Sequence, residues 1–284
     1  MSEEALKVNL TVNQMIIDQT YSLLKEKYKN KLDNLIISDI RIGLFLTAVR
    51  LSDDSFGTSA TLSDDYPNCT KINRDFGDFT PLKIRGKKVT DLFETPKESN
   101  IILTIKIAVL NAISSGIISA GKYKVLENCD PFELLDLHSQ KTITIVGAFH
   151  SYIRKISETK NKLYVLELNR NALADDHKQF YVPANEYKNI LPDSDIVIIT
   201  GLTLVNQTID GLLSAISKSS LVIVTGPSSS IIPDILFANK VNIIGATRIS
   251  KPNILFDIVS ETGTGYHLFE YCAQKISILK ADES

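Results

Sequence analysis

The sequence predicts an α/β protein with a parallel, Rossmann-like sheet in its C-terminal part and a smaller α+β domain before it. Three observations carry that prediction. From about residue 142 onward, short continuous apolar runs (Thr142 to Val146, Leu163 to Glu167, Asp195 to Ile199, Leu221 to Val224 and Val241 to Gly245) alternate with helical segments. Such runs are what strands buried on both faces look like, and helices between them supply the crossovers of a parallel sheet. The pattern before residue 138 is different, with two helical stretches flanking a β-rich run. The 284 residues suffice for about two domains at ~150 residues each.

In chain order, Val12, Met15, Ile16, Gln19, Leu23 and Leu24 fall near one face between Thr11 and Asn30, which predicts an amphipathic helix. Asp39 to Arg50 is apolar and β-branched, Ser52 to Ser55 is polar, and Phe56 to Leu62 is again strand-like, which reads as a hairpin of two strands. Gly57 with Thr58, Ser59 and Ala60 permits close approach by a ligand, a neighbouring domain or a packed helix. Ile102, Ile105, Val109, Ala112 and Ile113 predict a helix from Ser99 to Ser115, ended by Gly116. Asp130-Pro131-Phe132-Glu133 has the cap, the proline and the acidic residue of a helix start, with the helix running to about His138. The expected domains are therefore 1–138 and 139–280.

Composition bounds the function. Hydrophobic residues make up 44% and charged residues 23%, as in a folded globular chain. Lys+Arg of 31 against Asp+Glu of 33 gives net −2, which removes the long-range basic field of a general nucleic-acid binder. The run Lys83 to Lys88 reads as a solvated loop. Three scattered cysteines, Cys69, Cys129 and Cys272, write neither a disulfide framework nor a Cys-rich zinc site, so a reducing cytoplasm is expected. The N-terminus lacks a secretory pattern, and the charge-free stretches fall short of the ~20 apolar residues of a span, so no membrane role is expected.

In a parallel sheet the residues just after each strand converge on one edge. That edge gathers Gly147 and His150 after the first strand, and Glu167 and Asn169 at the end of the second. It adds Thr200, Gly201, Thr203, Asn206 and Thr208 after the third, then Thr225, Gly226, Ser228, Ser229 and Ser230 after the fourth, and Thr247 and Arg248 after the fifth. The mouth is rich in hydroxyls and amides. Thr225 to Ser230 reads either as an anion cradle at a helix start or as a tight turn with a serine cap, and Thr208 reads as a cap of the next helix. Glu167 stands where dinucleotide-binding folds hold a ribose hydroxyl, yet Gly147-Ala148-Phe149-His150 has one glycine where that loop needs three, and Phe149 would crowd a pyrophosphate. His150 is the histidine placed to act as a metal ligand or a proton carrier. No nucleophile elbow is present.

Several of these segments together resemble the heavy-metal chelation proteins of bacteria and archaea over nearly the whole chain. They are Gly147-Ala148-Phe149, Val165 to Asn169, Asp195 to Thr208, Thr225 to Ser229 and Gly245 to Ile249, with Ile42-Gly43-Leu44, Thr47-Ala48-Val49, Phe56 to Ala60 and Ala108 to Ala112 in the first half. The resemblance implies an N-terminal domain like the small domain of enolase, a Rossmann-like domain after it, handling of a heavy metal or metal complex, and a context of anaerobic cobalamin synthesis. The chain departs from the family in having His150 where a proline often follows the G-x-F segment, and Pro233 at a looser distance from the GPS segment. The leading expectation is binding of a transition metal or metal complex at the strand-end mouth, with His150 and Glu167 as metal ligands and Gly147, Thr200, Gly201, Thr203, Asn206, Thr208, Gly226, Ser228 and Ser229 around the ligand. Two protein ligands alone make a weak site, so the bound chelate or neighbouring hydroxyls would complete the coordination. The alternatives are an enzyme acting on an anionic metabolite, with His150 as acid or base and Glu167 as its partner, and a non-catalytic regulatory or scaffolding homodimer.

Overall fold

A computed structural model describes residues 15–62, 77–121 and 123–280. The first helix, α1 (Ile16–Leu32), buries Ile16, Ile17, Leu23 and Leu24; the expected start at Thr11 lies outside the described residues. The β-rich run differs from the expected hairpin. It forms a three-stranded antiparallel meander of β1 (Ile37–Ile42), β2 (Leu46–Leu51) and β3 (Phe56–Ala60). The stretch from Asp39 to Arg50 is two strands, because the chain reverses at Gly43-Leu44-Phe45, where the Gly43 N–H donates to the Leu46 carbonyl at 2.9 Å.

A short α2 (Val89–Glu94) leads to α3 (Asn100–Ser119), which packs across β3 and β2. Ser99 caps α3 as its sequence position suggests, accepting the Ile102 N–H at 3.1 Å. The helix does not stop at Gly116: it runs on because Ile117 and Ile118 still face the core. By length and composition α3 could cross a membrane, and 72% of its apolar window is buried inside the fold, which is the pattern of a core helix.

The rest of the chain builds one eight-stranded sheet. Its strands are β4 (Lys124–Glu127), β5 (Thr142–Val146), β6 (Lys162–Glu167), β7 (Tyr181–Pro183), β8 (Ile196–Thr200), β9 (Leu221–Thr225), β10 (Ile243–Ile249) and β11 (Ala273–Leu279), in the spatial order β4-β11-β10-β9-β8-β5-β6-β7. The six strands from β10 to β7 are parallel, and β11 and β4 add an antiparallel edge. The expected five strands are all present, and β4, β7 and β11 join them. By pairing, β4 belongs to this sheet although it precedes residue 138. The helix expected after Asp130 is a single 3-10 turn over Pro131–Leu134, capped by Asp130 accepting the Phe132 N–H.

Crossovers α4 (His150–Ser157), α5 (Tyr187–Ile190), α6 (Leu202–Val205), α7 (Ile209–Ala215) and α8 (Pro233–Ala238) link the parallel strands, while α9 (Pro252–Ser260) and α10 (Gly265–Tyr271) lead into β11. Counted from β5, the parallel strands lie in the order 3-2-1-4-5-6. The chain reverses direction across the sheet between β5 and β8, and in such sheets ligands bind in the crevice at that point, beyond the strands' carboxyl ends.

The two halves share one core, which runs from Leu24 and Ile105 through Val197, Val224 and Ile244. Hydrogen bonds reinforce the joint. Ser228 Oγ accepts the Ala60 N–H at 2.8 Å, Asn111 Nδ2 donates to the carbonyls of Thr58 at 2.6 Å and Pro227 at 3.2 Å, and Ser114 Oγ accepts the Ile232 N–H at 2.9 Å. Ser228→Ala leaves the Ala60 N–H without its acceptor, so we expect a loss of about 1–2 kcal/mol, read as a lower urea midpoint. An unchanged midpoint would mean that this bond does not hold the halves together.

Candidate functional site

A cavity of about 400 Å³ lies at the crevice between β5, β6 and β8. Gly147 opens it. This residue has φ +105°, a conformation that glycine adopts without strain, and a Cβ there would lie 3.0 Å from Thr200 Cγ2 and 3.8 Å from Phe149 Cε2. Phe149 stands beside Gly147 and stacks on Tyr152 with ring centroids 5.2 Å apart.

From β6 comes Glu167. Its Oε1 accepts the N–H groups of Leu168 at 2.8 Å and Asn169 at 3.1 Å, which fixes the carboxylate at the strand end and leaves Oε2 outside that turn. From the β8 side come Thr200, Thr203 and Asn206. The Thr203 hydroxyl donates to the Thr200 carbonyl at 2.7 Å. Asn206 Oδ1 accepts from the Thr208 hydroxyl at 2.7 Å and the Thr208 N–H at 3.2 Å, which turns the Asn206 amide N–H₂ away from this loop. Thr208 thus binds Asn206 and makes no side-chain cap for α7. Val146, Leu166, Leu202 and Leu212 give apolar walls, and among the described residues Glu167 is the one carboxylate in a lining that contains no Lys, Arg or His.

So the structure brings Gly147, Glu167, Thr200, Thr203, Asn206 and Thr208 to one cavity, and the remaining candidates lie elsewhere. Gly201 is buried against the Ser229 backbone. Gly226 lines a separate cavity of about 450 Å³ with Asp130, Tyr152 and Lys275. Ser228 and Ser229 are fully buried and committed to structural bonds, Ser228 to Ala60 and Ser229 Oγ to the carbonyls of Gly226 and Gly245, both at 2.6 Å. Within the Thr225 to Ser230 turn, Ser228 therefore joins the two halves and Ser229 ties the turn to β10, while Thr225 and Ser230 border other cavities.

His150 lies on the exposed start of α4, outside the cavity, with its ring 6.3 Å from that of His177. The cavity lining thus holds Glu167 without His150. Among the described residues no group of three or more His, Cys, Asp or Glu side chains could hold a metal ion. The described residues thus do not fit a resident, protein-ligated metal. Sequence reasoning missed Asn185 and Tyr187, which complete the cavity wall. Both follow β7, a three-residue strand ending in proline whose pattern gives no signal.

A family model described as "Putative heavy-metal chelation", DUF364, matches residues 130–278, just over half of the chain. The chain belongs to the DUF364 family. A second model with the same description, DUF4213, matches residues 25–114, so both halves carry the resemblance read from the sequence. An uncharacterised protein of Methanocaldococcus jannaschii is 25% identical over 244 residues, covering 83% of this chain and 87% of the relative. Two crystal structures of DUF364 proteins with unknown function share the fold. The one from Pyrococcus horikoshii has a TM-score of 0.73 at 22% identity, covering 93% of this chain and 98% of the other. The one from Desulfitobacterium hafniense has a TM-score of 0.68 at 16% identity, covering 93% and 99%.

Proposed function

We propose that this DUF364 protein binds a metal in the form of a compact organic complex, gripped by its ligand shell in the cavity between β5, β6 and β8. The observation that carries this reading is the donor set of that cavity: one carboxylate, Glu167, among hydroxyls and amides from Thr200, Thr203 and Asn206, with apolar walls. A bare transition ion asks for several imidazole, thiolate or carboxylate donors, and one carboxylate is too few. A chelate brings its own donors and presents N–H, O–H and C–H groups outward, which this cavity can meet. Its charge should be zero or positive, because an anion would face Glu167 with no basic side chain to offset it; the same fact weighs against an anionic metabolite as substrate. About 400 Å³ lies near the small end of ligand pockets, so within the anaerobic cobalamin context implied by the family resemblance the cargo would be a compact cobalt complex ahead of the macrocycle.

Melting curves test the reading. Co²⁺, Ni²⁺ and Zn²⁺ salts are expected to leave the melting temperature unchanged, whereas the neutral bis-histidine complexes of Co²⁺ and Ni²⁺ should raise it, with free histidine as control. Glu167→Gln should weaken that binding about tenfold or more, since a hydrogen bond to a charged acceptor is worth ~1.5–3 kcal/mol. Stabilisation by the salts alone, or by free histidine as strongly as by the complexes, would sink it.

A further inference from the structure

In the three-stranded sheet β1 lies at one end, and its outer edge is covered only at its start. There the Ile37 N–H donates to the Lys87 carbonyl and the Ile37 carbonyl accepts the Gly86 N–H, both at 2.9 Å. From Ser38 to Ile42 no strand pairs with this edge among the described residues, and at Gly43 the chain turns into β2. The register Asp39↔Arg50 and Arg41↔Ala48 continues into the Gly43–Leu46 hydrogen bond. In an antiparallel ladder these are then the hydrogen-bonded pairs, so Ile40 and Ile42 turn their N–H and C=O groups outward. Such an edge is a template for another strand.

Ile40 is the centre of the open stretch. The Asp39 carboxylate accepts its N–H at 2.9 Å, and Arg41 Nη1 donates to its carbonyl at 3.0 Å. Asp39 and Arg41 also pair with each other at 2.6 Å, with side chains 28% and 37% exposed. Arg85, 2.7 Å from Asp39, and the Phe256 ring, 5.4 Å from the Arg41 guanidinium, hold the two charges at the edge. Apolar surface continues from it: Ile42, Leu44 and Phe45, at the end of the hairpin, are 40%, 61% and 49% exposed.

We infer that two copies of this chain join edge to edge through β1, antiparallel about a two-fold axis at Ile40. The edge is complementary to itself. With Ile40 opposite the partner's Ile40, Asp39 faces the partner's Arg41, and the axis repeats that pair with opposite charges directly across the strands. The Ile40 N–H and carbonyl bond the partner's Ile40 in place of Asp39 and Arg41, and those two side chains turn to the partner's Arg41 and Asp39, so each bond given up within a chain is replaced across the axis. Moving the axis by one residue sets Arg41 against the partner's Arg41, or Asp39 against the partner's Asp39, so charge selects the register. Length agrees as well. Ser38 to Ile42 lies opposite the same five residues of the partner, whose strand turns away at Gly43 just where the cover on Ile37 begins, and its hairpin tip comes against that cover.

Light scattering on the eluted full chain tests the contact, with circular dichroism to confirm that each variant is folded. Wild type is expected at the mass of two chains. Asp39→Arg and Arg41→Asp should each weaken the dimer about tenfold or more, because each sets like charges opposite each other at both symmetric positions. Mixed in equal amounts, the two variants should dimerise with each other, since each carries the charges the other lacks. Leu44→Glu, at the exposed tip, should weaken the dimer without touching the ladder, and it decides the matter if a reversal variant does not fold. A wild type at single-chain mass throughout overturns the inference, as does a dimer that survives the reversals, or Leu44→Glu where that variant decides. Reversal variants that lose the dimer and stay apart when mixed overturn it too, since loss without mutual rescue shows that Asp39 and Arg41 do not meet across an axis.

Discussion

Gly57→Ala is expected to destabilise the protein by about 4 kcal/mol or more, at the extreme end for a single methyl group. A Cβ on Gly57 would lie 2.1 Å from the Ala108 carbonyl oxygen, 2.3 Å from the Ala112 nitrogen and 2.9 Å from the Ala112 Cα. All three are backbone atoms of α3, so no rotamer change can relieve the clash; strand and helix must part. Parting them breaks more than contacts. The Ser59 hydroxyl donates to the Thr104 carbonyl at 2.9 Å, and Asn111 Nδ2 binds the Thr58 carbonyl, so the whole strand is laced to the helix through its small hydroxyl residues. Urea unfolding measures the effect, with Gly116→Ala as the matched control: the same chemical change in α3, where space is open, should be neutral or stabilising by about 1 kcal/mol. A loss below about 1 kcal/mol for Gly57→Ala would mean that β3 and α3 yield easily.

The same glycine shows what a sequence can and cannot disclose. Phe56-Gly57-Thr58-Ser59-Ala60 announces close approach, and two of its three expected neighbours arrive: the packed helix at Gly57, and the C-terminal half at Ala60, whose N–H Ser228 accepts. The parallel sheet is legible for a simple reason: strands buried on both faces must be continuously apolar, as Ile196 to Thr200 and Leu221 to Thr225 are. The strands that escaped notice obey other constraints. Tyr181–Pro183 is three residues long and ends in proline, Lys124–Glu127 is only half-buried, and Ala273–Leu279 mixes exposed Gln274 and Lys275 with buried Ile276 and Ile278.

At the site, geometry that every parallel sheet shares brought Glu167, Thr200 and Asn206 to one cavity from strand ends far apart in the chain. The serines were ambiguous because a hydroxyl beside a helix start serves an anion or a neighbour equally well. Their deciding partner, the Ala60 N–H, is 168 residues from Ser228, and no local pattern encodes a contact that distant. His150 is absent from the cavity lining for a related reason: being next to the right turn in sequence does not place a residue in the wall.

Asp130→Ala should cost about 3 kcal/mol, and the part of that cost owed to the ionised carboxylate should vanish in acid. The Asp130 side chain is only 12% exposed, yet it takes Lys275 Nζ at 2.7 Å on Oδ2, and the Phe132 N–H at 3.0 Å together with the Tyr152 hydroxyl on Oδ1. Burial pushes its carboxyl up, but the bonds from Lys275, Tyr152 and Phe132 outweigh burial and hold it below its usual value. Burial, and donation to Asp130, raise the Tyr152 phenol well above its ordinary range, so it stays a proton donor at every pH of interest. Removing the carboxylate strands the buried phenol and uncaps the turn over Pro131–Leu134, whereas Lys275, nearly half exposed, is screened by water and adds little. The sign of the pH dependence follows from the lowered folded-state pKa. The carboxylate's contribution is complete above the unfolded value, about 3.9, and disappears as pH falls through the lower folded value. Asp130→Asn separates charge from shape, since its amide oxygen can still accept from Phe132 and Tyr152; it should lose about 1–2 kcal/mol at neutral pH. Urea midpoints of wild type and both variants from pH 7 to pH 3 decide the matter. The gap between wild type and Asp130→Asn should close at the acid end, and a gap that stays constant or widens there would show that the ionised carboxylate does not hold this corner of the sheet.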